Sequence, residues 1–191
     1  KGYYEMKHIM IIIICAVSVL RVSPAVHAQS DTETIARALT AAPSRGQNDA
    51  SVVNWEDDGT RVVLRQGSNG LVCWDQSGWP GQRPFSVRCT AEANLPRVDQ
   101  NREFLLKAGN ASEAQAIFEA AEKSGTREVP EFGTSYYSMS GNDQATAQQH
   151  VTIAVPFATT ESIGFPSEPS MTGAWLMTAG TSGAHIMIPG H

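Results

Sequence analysis

His185 and Met187 are the two residues in this 191-residue chain whose types and spacing best suit metal binding. They alternate in the segment His185-Ile186-Met187-Ile188, so in a β-strand both side chains would lie on the same face of the sheet. An imidazole with thioethers suits copper, especially Cu(I). The alternative is a hydrogen-bonded histidine beside a methionine that fills a gap in the core. The pair is a candidate metal site, and no cofactor is predicted from it, because spacing alone does not define one.

Three aromatic residues are candidates for ligand contact. Trp79 lies in the loop 77–81, where flanking glycine and proline place a large ring either against the core or against a ligand. Tyr136 and Tyr137 lie in a strand-like segment and could line a groove for a glycan or a peptide, the alternative being ordinary core. We keep Trp79, Tyr136 and Tyr137 as candidate ligand-binding residues.

Several common catalytic and binding motifs are absent from the sequence. No G-x-G-x-x-G follows a strand, no G-K-[ST] phosphate loop occurs, and residues 180–183 (G-T-S-G) lack the G-x-S-x-G elbow. No convincing pair of nucleophile and general base can be named, so catalytic residues stay unassigned. The net charge of −5 argues against a general nucleic-acid binder, which needs clustered cations.

The first 28 residues have the features of a secretory signal peptide. Met6 opens a short basic segment, and the apolar run 9–20 that follows is shorter than the roughly 20 residues that span a bilayer. Pro24 and then Val26-His27-Ala28 supply a helix breaker and a cleavage site. We therefore predict export to the periplasm or the extracellular space, cleavage after Ala28 and no stable membrane insertion afterwards. An uncleaved signal anchor is the alternative.

Cys73 and Cys89 would be the two cysteines of the mature chain. Both occur in strand-like segments, and in an oxidising compartment such a pair is usually a disulfide. A bridge closing this loop would stabilise the domain by roughly 3 kcal/mol. A metal site is the alternative, but the two thiols lack C-x-x-C spacing and a neighbouring histidine. The sequence predicts a disulfide.

The pattern of elements indicates an α+β fold. An N-terminal helix and linker occupy 29–50, and the helix itself, over 31–42, has a narrow apolar stripe that favours a position on the surface. A single α+β domain is predicted over 51–191. Its strand-like segments favour a mostly antiparallel sheet with two or three packing helices and one disulfide.

The clearest predicted hairpin pairs residues 61–65 with 71–74. The intervening Asn69-Gly70 has the residue types of a tight turn, and Asp58-Gly59 predicts an earlier turn in the same way. No phosphate-binding lysine lies beside the segment 67–70. It is therefore predicted to be a structural turn and not a ligand loop.

The same segment carries a resemblance to a known family. Residues 64–73, L-R-Q-G-S-N-G-L-V-C, resemble the L-R-x-G-x-N-G-x-x-C segment of a family of small exported bacterial proteins without a known activity. A downstream cysteine, a G-x-S-Y strand at 133–137 and a C-terminal G-x-H-I-M strand at 183–187 follow in the same order. Leu71 and Ala184 stand where that family has an aromatic residue and a proline. The resemblance implies export and one compact domain, and it implies no catalytic residue.

Two functions from different classes are consistent with these residues. The favoured hypothesis is an exported non-catalytic domain that binds a small molecule, a glycan or another envelope protein. The alternative is a small secreted enzyme, metal-assisted through His185 and Met187. The most useful observation for choosing between them is a structure that shows whether His185, Met187 and Trp79 border one pocket or lie apart in the core.

Overall fold

One sheet of eight strands forms the centre of the structure, a computed structural model that describes residues 24–189, with side chains from residue 30 onward. The strands are β1 Ser51–Trp55, β2 Arg61–Arg65, β3 Leu71–Asp75, β4 Phe85–Ala91, β5 Ser135–Gly141, β6 Gln148–Ala154, β7 Trp175–Met177 and β8 His185–Ile188. Their spatial order is β2-β1-β3-β4-β5-β6-β8-β7, and of these pairs only β1 and β3 run parallel. The predicted α+β class with a mostly antiparallel sheet is confirmed.

Within the described residues, four helices join or cover these strands. They are α1 Pro24–Ala38, α2 Leu95–Lys107, α3 Ala111–Ser124 and the single-turn α4 Thr160–Ile163. The Asn110 side chain accepts a hydrogen bond from the Glu113 backbone N–H at 3.0 Å and so caps the start of α3. Between residues 24 and 189, no helix is long and apolar enough to cross a membrane.

The face of the sheet that α1 covers contains the disulfide. Cys73 on β3 and Cys89 on β4 are direct partners in the register of the two strands, and their sulfurs are bonded, as predicted. Both residues are fully buried, together with Val52 and Val87. The Cys89 sulfur lies 3.8 Å from the carbonyl oxygen of Ala38 at the end of α1.

The end of the N-terminal helix is buried, which corrects the prediction of a surface position. The helix begins before residue 31, and after Ala38 it continues as a 3-10 turn, Leu39–Ala41. Ala38 and Ala41 have no exposed surface. Small side chains let the helix backbone approach the sheet closely, so a deeply packed helix end lacks the wide stripe of large apolar residues that marks an amphipathic helix.

The predicted hairpin between residues 61–65 and 71–74 is wrong. Strand β1 lies between β2 and β3, antiparallel to the first and parallel to the second. The local hairpin instead joins β1 to β2 through the predicted turn at Asp58-Gly59, with Gly59 at φ +89°. Asn-Gly chemistry indicates that the chain turns. It does not indicate which strand will lie alongside.

Residues 66–70 pack directly against residues 49–51, the segment that leads into β1. A Cβ atom on Gly67 would lie 2.3 Å from the carbonyl oxygen of Asp49, so a larger residue would collide with the backbone. The Asn69 side chain donates to the carbonyl oxygen of Gly46 at 2.9 Å. The segment that carried the family resemblance therefore has a structural role, which is to hold the chain that leads into β1.

The opposite face of the sheet is packed over only part of its width. Above β1 and β3, α2 contributes Leu95 and Val98 to an apolar cluster with Val53, Trp55, Val72, Trp74 and Trp79. Farther across, β4, β5, β6 and β8 present polar side chains on the same face. The edge of α2 and this polar surface enclose a groove.

Candidate functional site

The groove has a volume of about 410 Å³ and lies on the face of the sheet opposite the disulfide. Its floor is formed by outward-facing residues of β4, β5, β6 and β8. Its side wall is formed by α2, by the chain after α3 from Arg127 to Pro130, and by Gly183 and Ala184, with Gly183 beside the Arg97 guanidinium. Cavities of about 300–1,000 Å³ are typical of small-molecule sites.

Strand register explains which side chains share the floor. Arg88 on β4 is the direct partner of Ser138 on β5, which is the direct partner of His150 on β6. In the adjacent row across the same strands, Tyr136 is the direct partner of Thr152, which is the direct partner of Met187. Because strands lie about 4.8 Å apart, each row of three places its outer members about 10 Å from each other.

Arg88 is the unusual residue of the floor. Its neighbours in sequence, Val87 and Cys89, are fully buried, whereas Arg88 itself is exposed to the open groove. Its guanidinium makes no hydrogen bond and no ion pair with any described residue. Burial among the surrounding protein atoms lowers the pKa of Arg88, and the nearby Tyr136 acts in the opposite direction. At neutral pH an arginine keeps its charge, so the floor holds an accessible cation.

Two further arginines lie along the wall of the groove. Arg97 on α2 donates to the Ser182 hydroxyl at 2.7 Å and also to the carbonyl oxygen of Glu128. Arg127 donates to the side-chain oxygens of Gln100 and Asn101 at 2.6 and 2.7 Å. These direct acceptors are uncharged oxygens. The two guanidinium groups are therefore held in position without being neutralised by a carboxylate at hydrogen-bond distance.

The charge of Arg97 acts on Arg127, and all three arginines act on Tyr136. Burial, reinforced by the charge of Arg97, lowers the pKa of Arg127 to about 10. Burial raises the pKa of Tyr136, and the charges of Arg97, Arg88 and Arg127 partly oppose that rise. Arg97 also has its pKa lowered by burial. The phenol of Tyr136 thus lies within electrostatic range of all three guanidinium groups.

The nearest carboxylate in this network belongs to Glu122 on α3. It accepts hydrogen bonds from the Ser182 backbone N–H and hydroxyl, both at 2.6 Å. Burial alone would raise the pKa of Glu122, but these two bonds and the charges of Arg97 and Arg127 lower it below 4.5. No aspartate or glutamate is among the described residues that line the groove, so its surface is predominantly positive.

The structure brings together three of the residues singled out from the sequence. Tyr136, His185 and Met187 all line the groove. Tyr137 faces the other side of the sheet and packs against the disulfide core. Trp79 lies in the core beside Trp55, with ring centroids 5.2 Å apart, which is the packing alternative of the two that its loop allowed. His185, Met187 and Trp79 do not border one pocket.

His185 and Met187 share one face, as their alternation predicted, but their surroundings suit a cation poorly. The Nδ1 atom of His185 donates to the carbonyl oxygen of Gly183 at 2.8 Å. No group of three or more histidine, cysteine, aspartate or glutamate residues able to hold a metal ion occurs between residues 24 and 189. The three arginines of the groove would repel a metal cation.

Sequence reasoning missed the arginines and the polar floor, although an alternating pattern marks them. In β4, Ser86, Arg88 and Thr90 alternate with buried apolar residues. The next two strands repeat this pattern, with Ser138 and His150 in register with Arg88. Period-2 polar positions in three successive strands indicate one polar sheet face. A wall of arginines from α2 and from the chain after α3 depends on tertiary packing.

Comparisons with known proteins identify no relative. No family model matches the chain, and neither a curated protein nor a solved structure matches it. The case for a function therefore depends on the chemistry of the groove.

Proposed function

We propose that this protein is an exported, non-catalytic domain that binds a small anionic molecule in the groove. The observation that carries the proposal is Arg88, a charged side chain that is exposed on the floor of a concave site and has no partner among the described residues. Arg97 and Arg127 add positive charge beside it. A bound anion would be attracted by these charges and would relieve the repulsion between Arg97 and Arg127.

Arginine is well suited to this task. Its planar guanidinium presents five N–H donors in a fixed geometry that matches a carboxylate or a phosphate, often through two parallel hydrogen bonds. In a concave site such bonds are screened less by water than on an open surface. An anion held by Arg88 would lie close to the Ser138 hydroxyl on the next strand, and the His150 ring follows one strand farther along the same row.

Export is supported by the disulfide and by the sequence of the N-terminus. Bonded Cys73 and Cys89 are typical of oxidising compartments. Of the predicted signal peptide, 1–28, residues 1–23 lie outside the described part of the chain, and 24–28 form the first part of α1. Cleavage after Ala28 would keep the buried end of that helix, so the packing beneath the disulfide does not depend on the signal segment.

Among the residues that the structure describes, no hydroxyl is hydrogen-bonded to a histidine ring that could act as its base, and the proposal therefore includes no catalytic step. The Ser138 hydroxyl contacts the backbone oxygen of His150 at 3.4 Å, and no described serine hydroxyl is hydrogen-bonded to the His150 ring. Ser182 is bonded to Glu122 and Arg97, but it is buried and its role is to connect α2, α3 and the wall loop.

Calorimetric titration of the purified domain tests the proposal. Inorganic phosphate and citrate are titrated at constant ionic strength into the wild type, Arg88→Gln and Arg83→Gln. Arg83 is an exposed arginine outside the groove and serves as the matched control. We expect saturable binding of at least one anion by the wild type and by Arg83→Gln. Arg88→Gln should bind at least about tenfold more weakly, because a charge-assisted bond contributes on the order of 1.5–3 kcal/mol.

Two results would overturn the proposal. One is the absence of saturable binding of either anion to the wild type. The other is equal affinity of Arg88→Gln and the wild type. Since Arg88 makes no hydrogen bond within the described residues, the variant should melt at the wild-type temperature, which the same samples verify.

A further inference from the structure

The floor of the groove carries unused hydrogen-bonding capacity beside its arginine. Ser140, Thr152 and the His150 ring make no side-chain hydrogen bond with any residue that the structure describes, although all three line the groove. Ser138 makes only the long contact of 3.4 Å to a backbone oxygen. Hydroxyl and neutral imidazole groups can each donate and accept. The site therefore offers several groups that could pair with a ligand of the same dual character.

These groups lie at distances that a small ring can span. Ser138 and His150 continue the row that begins at Arg88, so they lie about 5 and about 10 Å across the sheet from it. Thr152 lies next to His150 along β6, on the same face but one row over. A ligand whose anionic group meets Arg88 would place its body over these three side chains.

The groove also has apolar surface between its polar groups. The ring of Tyr136 and the thioether of Met187 line it together with the hydroxyls. A ligand that satisfies both parts must carry hydroxyl groups on its edge and C–H groups on its faces. A simple aliphatic acid would meet Arg88 but would leave the hydroxyls without partners, and an unpaired polar group in a covered site costs affinity.

We propose that the anionic ligand of the groove is an acidic sugar, meaning a polyhydroxylated ring that carries a carboxylate or a phosphate. This inference rests on the proposed function and specifies it. The anionic group binds Arg88 and is supported by Arg97 and Arg127. The sugar hydroxyls pair with Ser138, His150 and Thr152, and the C–H face of the ring lies against Tyr136 and Met187.

Calorimetry with four defined probes tests this specificity at constant ionic strength. D-Glucuronate and glucose 6-phosphate carry both features, hexanoate carries only the negative charge, and D-glucose carries only the hydroxyls. We expect at least one of the two acidic sugars to bind at least tenfold more tightly than hexanoate and than D-glucose. The comparison of D-glucuronate with glucose 6-phosphate then identifies whether the carboxylate or the phosphate is preferred.

Variants of the floor separate the two proposals. Ser138→Ala and Thr152→Val should each weaken binding of the preferred acidic sugar several-fold, and by a larger factor than they weaken binding of hexanoate, which has no hydroxyl to pair with either side chain. Ser112→Ala, at an exposed serine on α3, is the matched control and should bind like the wild type. Arg88→Gln should weaken the binding of every anion.

Three outcomes would overturn the acidic-sugar proposal. If hexanoate binds as tightly as both acidic sugars, anion binding stands and sugar recognition is wrong. If the acidic sugars bind tightly but Ser138→Ala and Thr152→Val have no effect, the hydroxyls do not recognise the ring. If no anion binds to the wild type, the proposed function fails together with this inference.

Discussion

Arg88 differs from the other well-placed arginines of this protein in what surrounds its guanidinium. Arg37 pairs with Asp75 at 3.0 Å and lies over Phe85, and Arg102 lies 4.9 Å from the ring centre of Trp79. Those contacts explain both side chains as part of the packed structure. Arg88 has no such explanation, since the alternation of side chains along β4 directs it into the open groove. An accessible cation placed by a rigid strand is the feature expected of a binding residue.

Gly67 gives the clearest prediction at the level of one residue. In Gly67→Ala the added Cβ would lie 2.3 Å from the Asp49 backbone oxygen, a collision that only backbone movement can relieve. We expect a loss of about 3 kcal/mol in the free energy of unfolding, or failure to fold. Urea denaturation followed by circular dichroism measures this loss.

Gly70→Ala is the matched control for Gly67→Ala. Gly70 has φ +73° but open space around it, so a Cβ there meets no atom within 4 Å. Its cost should be only that of the left-handed conformation, about 1–2 kcal/mol. A Gly67→Ala variant as stable as the wild type, or one less affected than Gly70→Ala, would show that the packing at the start of β1 is not tight.

At the scale of elements, Ser182 joins three parts of the groove wall. It donates to Glu122 on α3 and accepts from Arg97 on α2, while it belongs to the loop before β8. These hydrogen bonds fix the orientation of the Arg97 side chain and the position of the loop at Ser182 and Gly183 relative to α2 and α3. The wall should therefore be a rigid boundary of the groove.

Removal of the Ser182 hydroxyl should change both stability and its dependence on pH. In Ser182→Ala, Glu122 and Arg97 each lose a hydrogen bond, so we expect a loss on the order of 1–3 kcal/mol at neutral pH. Glu122 has a folded pKa below its unfolded value near 4.5. Its contribution to stability is therefore complete above about pH 5 and is lost as the pH falls through the folded pKa.

The pH profile of this variant supplies its own check. Without the hydroxyl, the folded pKa of Glu122 moves up toward its unfolded value, so the difference in stability between the wild type and Ser182→Ala should shrink from about pH 5 to about pH 3. Chemical denaturation at several pH values measures the difference. A gap between the two proteins that stays constant or widens on acidification would contradict the assigned role of Glu122.

The elements show which parts of the fold local sequence rules can predict. Strand propensity, turn residues and the even pair of cysteines sufficed for the fold class, the Asp58-Gly59 turn and the disulfide. The partner of β3 could not be read locally, because β1 is inserted beside it by parallel pairing. The burial of Ala38 was missed for a related reason, since small side chains pack closely without a strong apolar pattern.

At the scale of the whole molecule, the groove exists because the helices cover the sheet unequally. Helix α1 lies over the disulfide on one face, and α2 packs over β1 and β3 on the other, which leaves the polar part of that face open. The chain has a net charge of −5, yet the groove concentrates three arginines. A local positive field within an acidic protein favours small anions that can enter the groove over extended polyanions that must also approach the acidic surface.

The disulfide should stabilise the whole domain, because it joins β3 and β4, two neighbouring strands in the interior of the sheet. Cys73 and Cys89 are separated by 16 residues, and closing such a loop contributes about 3 kcal/mol in the chain-entropy model. We expect the Cys73→Ala/Cys89→Ala double variant to lose at least that much in the free energy of unfolding, with added loss from the buried volume of the two sulfurs.

Thiol labelling provides the independent check on the bridge. Denatured wild-type mature protein should react with an alkylating reagent at neither Cys73 nor Cys89 unless a reductant is added. Quantitative labelling of both residues without reductant would mean that the bridge is absent in the natural protein. Equal stability of the double variant and the wild type would mean that the bridge contributes nothing.

The location of a bound anion tests the central claim most directly. In protein labelled with ¹⁵N-arginine, the side-chain Nε–H resonance of Arg88 is the one that disappears from the spectrum of Arg88→Gln. During a titration with D-glucuronate, glucose 6-phosphate or phosphate at constant ionic strength, this resonance should shift saturably, accompanied by those of Arg97 and Arg127. Saturable shifts confined to arginines outside the groove, with the Arg88 resonance unmoved at every ligand concentration, would contradict the account.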